Sequence, residues 1–164
     1  MKKTVSILAI GFALTLFWGG LIIVGASYDT VDDDNPYGEE TLVVEIDDSE
    51  ADQNVTPVVT DSLEYWEANS EQYADYPITY EVDADEHPDV RIVWVDDLKK
   101  CDDLADESIA GCADLVEDTA PGTALVEVES GLSKEQATET LKHELGHTLG
   151  LRHGDSPQDV MSPT

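Results

Sequence analysis

Basic residues are scarce in this chain. It carries 8 Lys and Arg against 37 Asp and Glu in 164 residues, a net charge of −29. Two of the eight, Lys2 and Lys3, stand in a leading segment with no acid before Asp29, so the remainder is more acidic still. A phosphate backbone needs a basic footprint, which excludes nucleic acid as a natural partner. Anionic lipid surfaces are disfavoured for the same reason. Cysteine is nearly absent: only Cys101 and Cys112 occur, and neither sits in a CxxC pair, which argues against a cysteine metal site. No internal repeat is visible.

High net charge with low hydrophobicity would mean disorder. Here 41% of residues are hydrophobic, with three Trp and six Tyr, so a folded core is expected. The length suits one domain. A Lys-poor, acid-coated surface suits water held against concentrated salt, and we expect a salt-adapted source.

The longest apolar run, Val5 to Val24, holds no charge and is about the length that spans a bilayer. It reads as a signal peptide, with Val24-Gly25-Ala26 as small-residue cleavage context, or as an uncleaved N-terminal transmembrane anchor. Lys2 and Lys3 place the N-terminus in the cytoplasm and everything after the run outside. The expected location is therefore extracellular, secreted or anchored to the cell membrane by that helix. An exported chain permits a disulfide. Cys101 and Cys112 would close the loop CDDLADESIAGC, worth about 3 kcal/mol in the chain-entropy picture.

The expected organisation is leader or anchor over 1–27, acidic linker or arm over 28–57, and a folded unit over 58–164. A short strand at Leu42–Ile46 is the minor alternative within the arm. Val59 to Ala74 has helical spacing, with Leu63, Trp66 and Tyr73 on one side, Thr60 or Asp61 as cap and Pro77 as stop. Ile78–Val82 alternates as a strand, and Val90–Val95 is a second, more buried one. The acidic stretch bracketed by the cysteines reads as a loop, and Pro121-Gly122 as a turn. Thr123–Glu129 is a third strand. Ser133 opens a helix running to Gly150, with Gln136 completing a capping box. Helix, strands, then helix predicts an α+β class with a mixed sheet.

Three of the four histidines fall within His143-Glu144-Leu145-Gly146-His147-Thr148-Leu149-Gly150-Leu151-Arg152-His153. His143 and His147 are four apart on a helix, so they project from one face a turn apart and can reach one metal. Glu144 is too close in sequence to chelate beside them, but it can take a proton from a metal-bound water. Ala137, Leu141, Leu145 and Leu149 form the opposite, apolar face. Gly146 keeps the histidine side uncluttered. Gly150 lets the chain turn back and bring His153 to the same ion. Three imidazoles and an open position suit catalytic zinc. Five fixed residues at fixed offsets arise by chance on the order of one in ten million per start position, or more rarely.

HELGHTLGLRH resembles the extended HExxHxxGxxH signature of the metzincin metallopeptidases. Met161 follows His153 by eight residues and begins a Met-x-Pro ending, which resembles the matrixin branch. The resemblance implies a zincin-type catalytic domain that hydrolyses peptide bonds in protein or peptide substrates. It implies zinc on His143, His147 and His153, Glu144 as general base, and Met161 as a Met-turn beneath the metal. It also implies that Thr123–Glu129 is the edge strand on which an extended substrate lies antiparallel. Gly154 stands where matrixins commonly have Ser. No cysteine precedes the domain to act as a switch, and His87, the remaining histidine, does not support a second zinc site. The chain stops at Thr164, which implies a truncated C-terminal subdomain. Asp155 and Asp159 offer calcium ligands or an orienting partner for His153, or are solvated loop acids. The alternatives to a peptidase are a zinc-binding, non-catalytic interaction protein, secreted or anchored, and an anchored acidic stalk. The sequence leaves the oligomeric state open.

Overall fold

A computed structural model describes residues 35–82, 87–98, 109–116, 122–155 and 160–162. The leading segment, Cys101 and Asp159 lie outside these residues. Seven elements follow in order: β1 (Thr41–Asp47), α1 (Thr56–Tyr73), β2 (Thr79–Val82), β3 (Val90–Val95), β4 (Gly111–Ala113), β5 (Ala124–Glu129) and α2 (Lys134–Thr148). The strands form one mixed sheet in the order β2-β1-β3-β5-β4. All neighbours are parallel except β4, which runs antiparallel to β5 at one edge. This is the α+β arrangement expected, with one helix before most of the sheet and one after it.

The expected arm contains a strand. Leu42-Val43-Val44 lies in β1, between β2 and β3, with Leu42 and Val44 fully buried. The minor alternative at Leu42–Ile46 is the one formed. The surrounding acids disguise it, because only alternate residues of a strand enter the core and the others face outward. On that outer face Glu45 and Asp47 form ion pairs with Arg91 of β3, at 3.1 and 3.7 Å.

Strand alternation also builds the core. Val90, Ile92 and Trp94 of β3 and Ala124, Val126 and Val128 of β5 are buried with Leu42 and Val44. They meet Val58, Val59, Leu63 and Trp66 of α1 and Ala137, Leu141 and Leu145 of α2. Helix α1 starts at Thr56, earlier than its apolar spacing predicts. Thr60 and Asp61 are therefore interior residues, not caps. Pro57 occupies the first turn, where its missing N–H costs nothing, and Asn54 Oδ1 accepts the Thr56 N–H at 3.1 Å. Asp61 instead pairs with Lys134 of α2 at 3.1 Å. Among the described residues no helix is long and apolar enough to cross a membrane.

Candidate metal centre

Helix α2 carries the site, and its ends are fixed by local chemistry. The Ser133 side chain accepts the Gln136 N–H, and the Gln136 side chain reaches back to the Ser133 N–H, as the capping box requires. At the other end Gly150 takes φ +85, and the Gly150 and Leu151 N–H groups bond to the His147 and Gly146 carbonyls at 3.0 Å each. That is the left-handed stop that turns the chain back.

Three aromatic donors hold the same helix from outside. Trp66 Nε1 donates to the Lys142 carbonyl at 2.8 Å. The Tyr37 hydroxyl donates to the Thr148 carbonyl at 2.9 Å, and the Tyr76 hydroxyl to that of Leu149 at 3.0 Å. The last two satisfy carbonyls that the end of a helix leaves without partners. The sequence reading placed Trp66 on an apolar helix side and Tyr37 within the acidic arm, and no local signal marks them or Tyr76 as supports of the site.

His143, His147 and His153 converge, each offering one nitrogen within 4.8 Å of the others. The His143 Nε2 atom lies 3.0 Å from His153 Nε2 and 3.2 Å from His147 Nε2. Nδ1 of His143 donates to the Val160 carbonyl and Nδ1 of His147 to the Leu151 carbonyl, at 2.7 Å each. A carbonyl only accepts, so in both rings the proton sits on Nδ1 and the Nε2 lone pair faces inward. Two inward lone pairs at this spacing repel unless a cation lies between them. Ligand nitrogens on one tetrahedral zinc sit ~3.4 Å apart, given Zn–N near 2.1 Å. The donor set therefore fits a zinc ion, and the backbone carbonyls supply the outer hydrogen bonds that such ligands need. Burial holds both His143 and His147 below the ordinary imidazole value of 6.5, which keeps them neutral and ready to ligate. Among the described residues this is the one cluster able to hold a metal.

Glu144 is buried beside the histidines, and burial raises its carboxyl from 4.5 to about 8. Met161 is fully buried under α2. Gly146 explains how it gets there: a Cβ at that position would lie 2.4 Å from Met161 Sδ and 2.9 Å from Trp66 Cζ2. Gly146 thus makes room for Met161 and Trp66, rather than leaving the histidine side open as its spacing implied. Met161 is tied to the loop below by the Gly154 N–H, which donates to its carbonyl at 3.1 Å. Asp155 closes the turn around His153, its carboxylate accepting the Arg152 N–H at 2.7 Å.

The strand beside this centre differs from the one expected. Strand β5, over Ala124–Glu129, is interior, and the edge is β4, Gly111–Ala113. The cysteine-bracketed stretch therefore ends in a strand that its acidic composition hid. The Glu129 N–H bonds to Ala110 and the Asp114 N–H to Leu125 across to β5. By antiparallel alternation, the peptide groups of Gly111 and Ala113 point away from β5, with Gly111 buried and Ala113 half-buried. Cys112 between them is buried and disulfide-bonded, while its expected partner Cys101 lies outside the described residues.

A mixed sheet backed by two helices, with two imidazoles on the second helix and a third on the turn after it converging on one point, is a zincin-type arrangement. The chain belongs to the matrixin family, which it matches over residues 39–164. It is a matrixin-like metzincin, and the family is one of zinc peptidases. The match begins just before β1, the strand that the acidic composition concealed. Two solved structures of myroilysin are also similar. One shares 18% identity at a TM-score of 0.42, covering 75% of this chain and 53% of that one. The other shares 17% at 0.43, covering 76% and 48%. The chain thus spans about half the length of the solved structures it matches. Among curated proteins, none matches.

Proposed function

We propose that the chain is a zinc-dependent endopeptidase acting on extended protein or peptide substrates. The observation that carries this reading is the buried Glu144 carboxyl set beside three imidazoles whose Nε2 atoms converge. His143, His147 and His153 would hold the ion. When bound, zinc supplies Lewis acidity toward a peptide carbonyl and lowers the pKa of a water. Glu144 takes the proton of the attacking water and hands it to the leaving amine. Met161 provides an apolar floor that keeps α2 and the His153 loop in register. The peptide groups of Gly111 and Ala113 that point away from β5 accept a substrate as an added strand.

Digestion of an unfolded protein such as casein tests this. Turnover should vanish with a zinc chelator and return on adding zinc. A zinc-loaded protein that cleaves nothing would favour a non-catalytic binding role. The leading segment, read as signal peptide or anchor, would place the domain outside the cell. N-terminal sequencing of the mature protein distinguishes the two forms.

A further inference from the structure

Glycine at 111 is not required by backbone conformation. Among the described residues the glycines with positive φ are at 38, 122, 131, 150 and 154, and Gly111 is not one of them. Its reason is contact. A Cβ built there would lie 2.5 Å from Thr140 Cγ2, 2.9 Å from Glu144 Cγ and 3.0 Å from Glu144 Oε1. All three atoms belong to α2, two of them to the residue read above as the base. The same peptide unit points its N–H and C=O away from β5, because its neighbours on either side are the ones that pair with that strand.

We propose that Gly111 is a positioning residue for peptide hydrolysis. Its bare Cα lets β4 approach α2 so closely that the Glu144 side chain rests against the strand on which substrate would lie. The spacing between base and bound peptide is then set by a packed contact, not by the Glu144 rotamer alone. A methyl group at 111 displaces the carboxylate from the strand or lifts β4 off α2. It meets none of the three histidines among its nearest atoms, so metal binding is left intact. The proposal rests on reading Glu144 as the general base.

The experiment compares wild type, Gly111→Ala, Thr140→Ala and the double variant for zinc content, melting temperature, kcat and KM. Gly111→Ala should keep one zinc, hold KM within about twofold and lose about 10- to 100-fold in kcat, the scale on which small displacements of a reacting group act. The double variant removes the closest obstruction. It should regain the melting temperature of Thr140→Ala while its kcat stays low, a split that a purely structural role would not produce. If Gly111→Ala does not fold, the double variant carries the test alone. Recovery of kcat together with melting temperature in the double variant overturns the proposal, and so does an unchanged kcat in Gly111→Ala. A wild type lacking chelator-sensitive turnover overturns the peptidase reading itself, and this proposal with it. An active wild type beside an unaffected Gly111→Ala overturns this proposal alone.

Discussion

Glu144 is the residue on which environment acts most strongly. In the metal-free protein burial raises its carboxyl from 4.5 to about 8. Between those pH values the folded chain keeps a proton that the unfolded chain has lost, so stability falls as pH rises through the window. Glu144→Gln removes that decline. Metal-free Glu144→Gln should match wild type near pH 4.5 and exceed it by roughly 2–3 kcal/mol at pH 7. His143 and His147 act with the opposite sign, being depressed by burial, but they are common to both proteins and cancel in the comparison. Denaturant titrations at the two pH values make the check, and equal stability at pH 7 would refute the burial effect. The same histidine depression predicts zinc retention as pH falls to 6.5 and release only below it, measured by metal content after equilibrium dialysis. Gly146→Ala drives a methyl into Met161 and Trp66. It should cost about 1–3 kcal/mol, the usual range for overpacking, and loosen zinc binding as well, because the same contact seats the helix over Met161.

At the scale of elements, α2 was legible almost residue for residue. Its capping box, apolar stripe and glycine stop are all local signals, and a local signal survives in a single sequence. The three histidines are legible for the same reason, since two sit on one helix and the third follows a tight turn. Strand β1 was concealed because a strand's identity depends on what flanks it. Its outward residues are acids that only Arg91, 44 positions or more away in sequence, makes sense of. The start of α1 was misplaced because Pro57 and Asn54 replace the expected Thr or Asp cap. The carbonyls that fix the imidazole tautomers, of Leu151 and Val160, leave no mark in any sequence, because every residue has a carbonyl. The position of β1 gives a sharp prediction. β2 and β3 both pair with it, so a chain beginning at residue 58 should not fold, whereas one beginning at 35 should. Circular dichroism and thermal melting of the two truncations decide this. A cooperative transition in the shorter one would contradict the sheet order.

For the whole molecule, the charge has a different meaning from the one composition first offers. A net charge of −29 spread over an ordinary hydrophobic core favours neither disorder nor a polyanion partner. On the helices Asp61, Glu64, Glu67, Glu71, Glu135 and Glu139 are exposed, while the chemistry is concentrated in three of only four histidines and one buried acid. Self-repulsion at this density is relieved by counterions. The folded state is therefore expected to gain stability as salt rises from dilute buffer toward molar concentrations, read as a rise in melting temperature; a salt-independent melt would contradict it. The central claim is that His143, His147 and His153 hold zinc while Glu144 does the proton transfer. Zinc content and peptide turnover of wild type beside Glu144→Ala, both in molar salt, test it most directly. The account predicts one zinc per chain in both proteins and turnover in wild type alone. Equal turnover in Glu144→Ala, or no stoichiometric zinc in wild type, would contradict it.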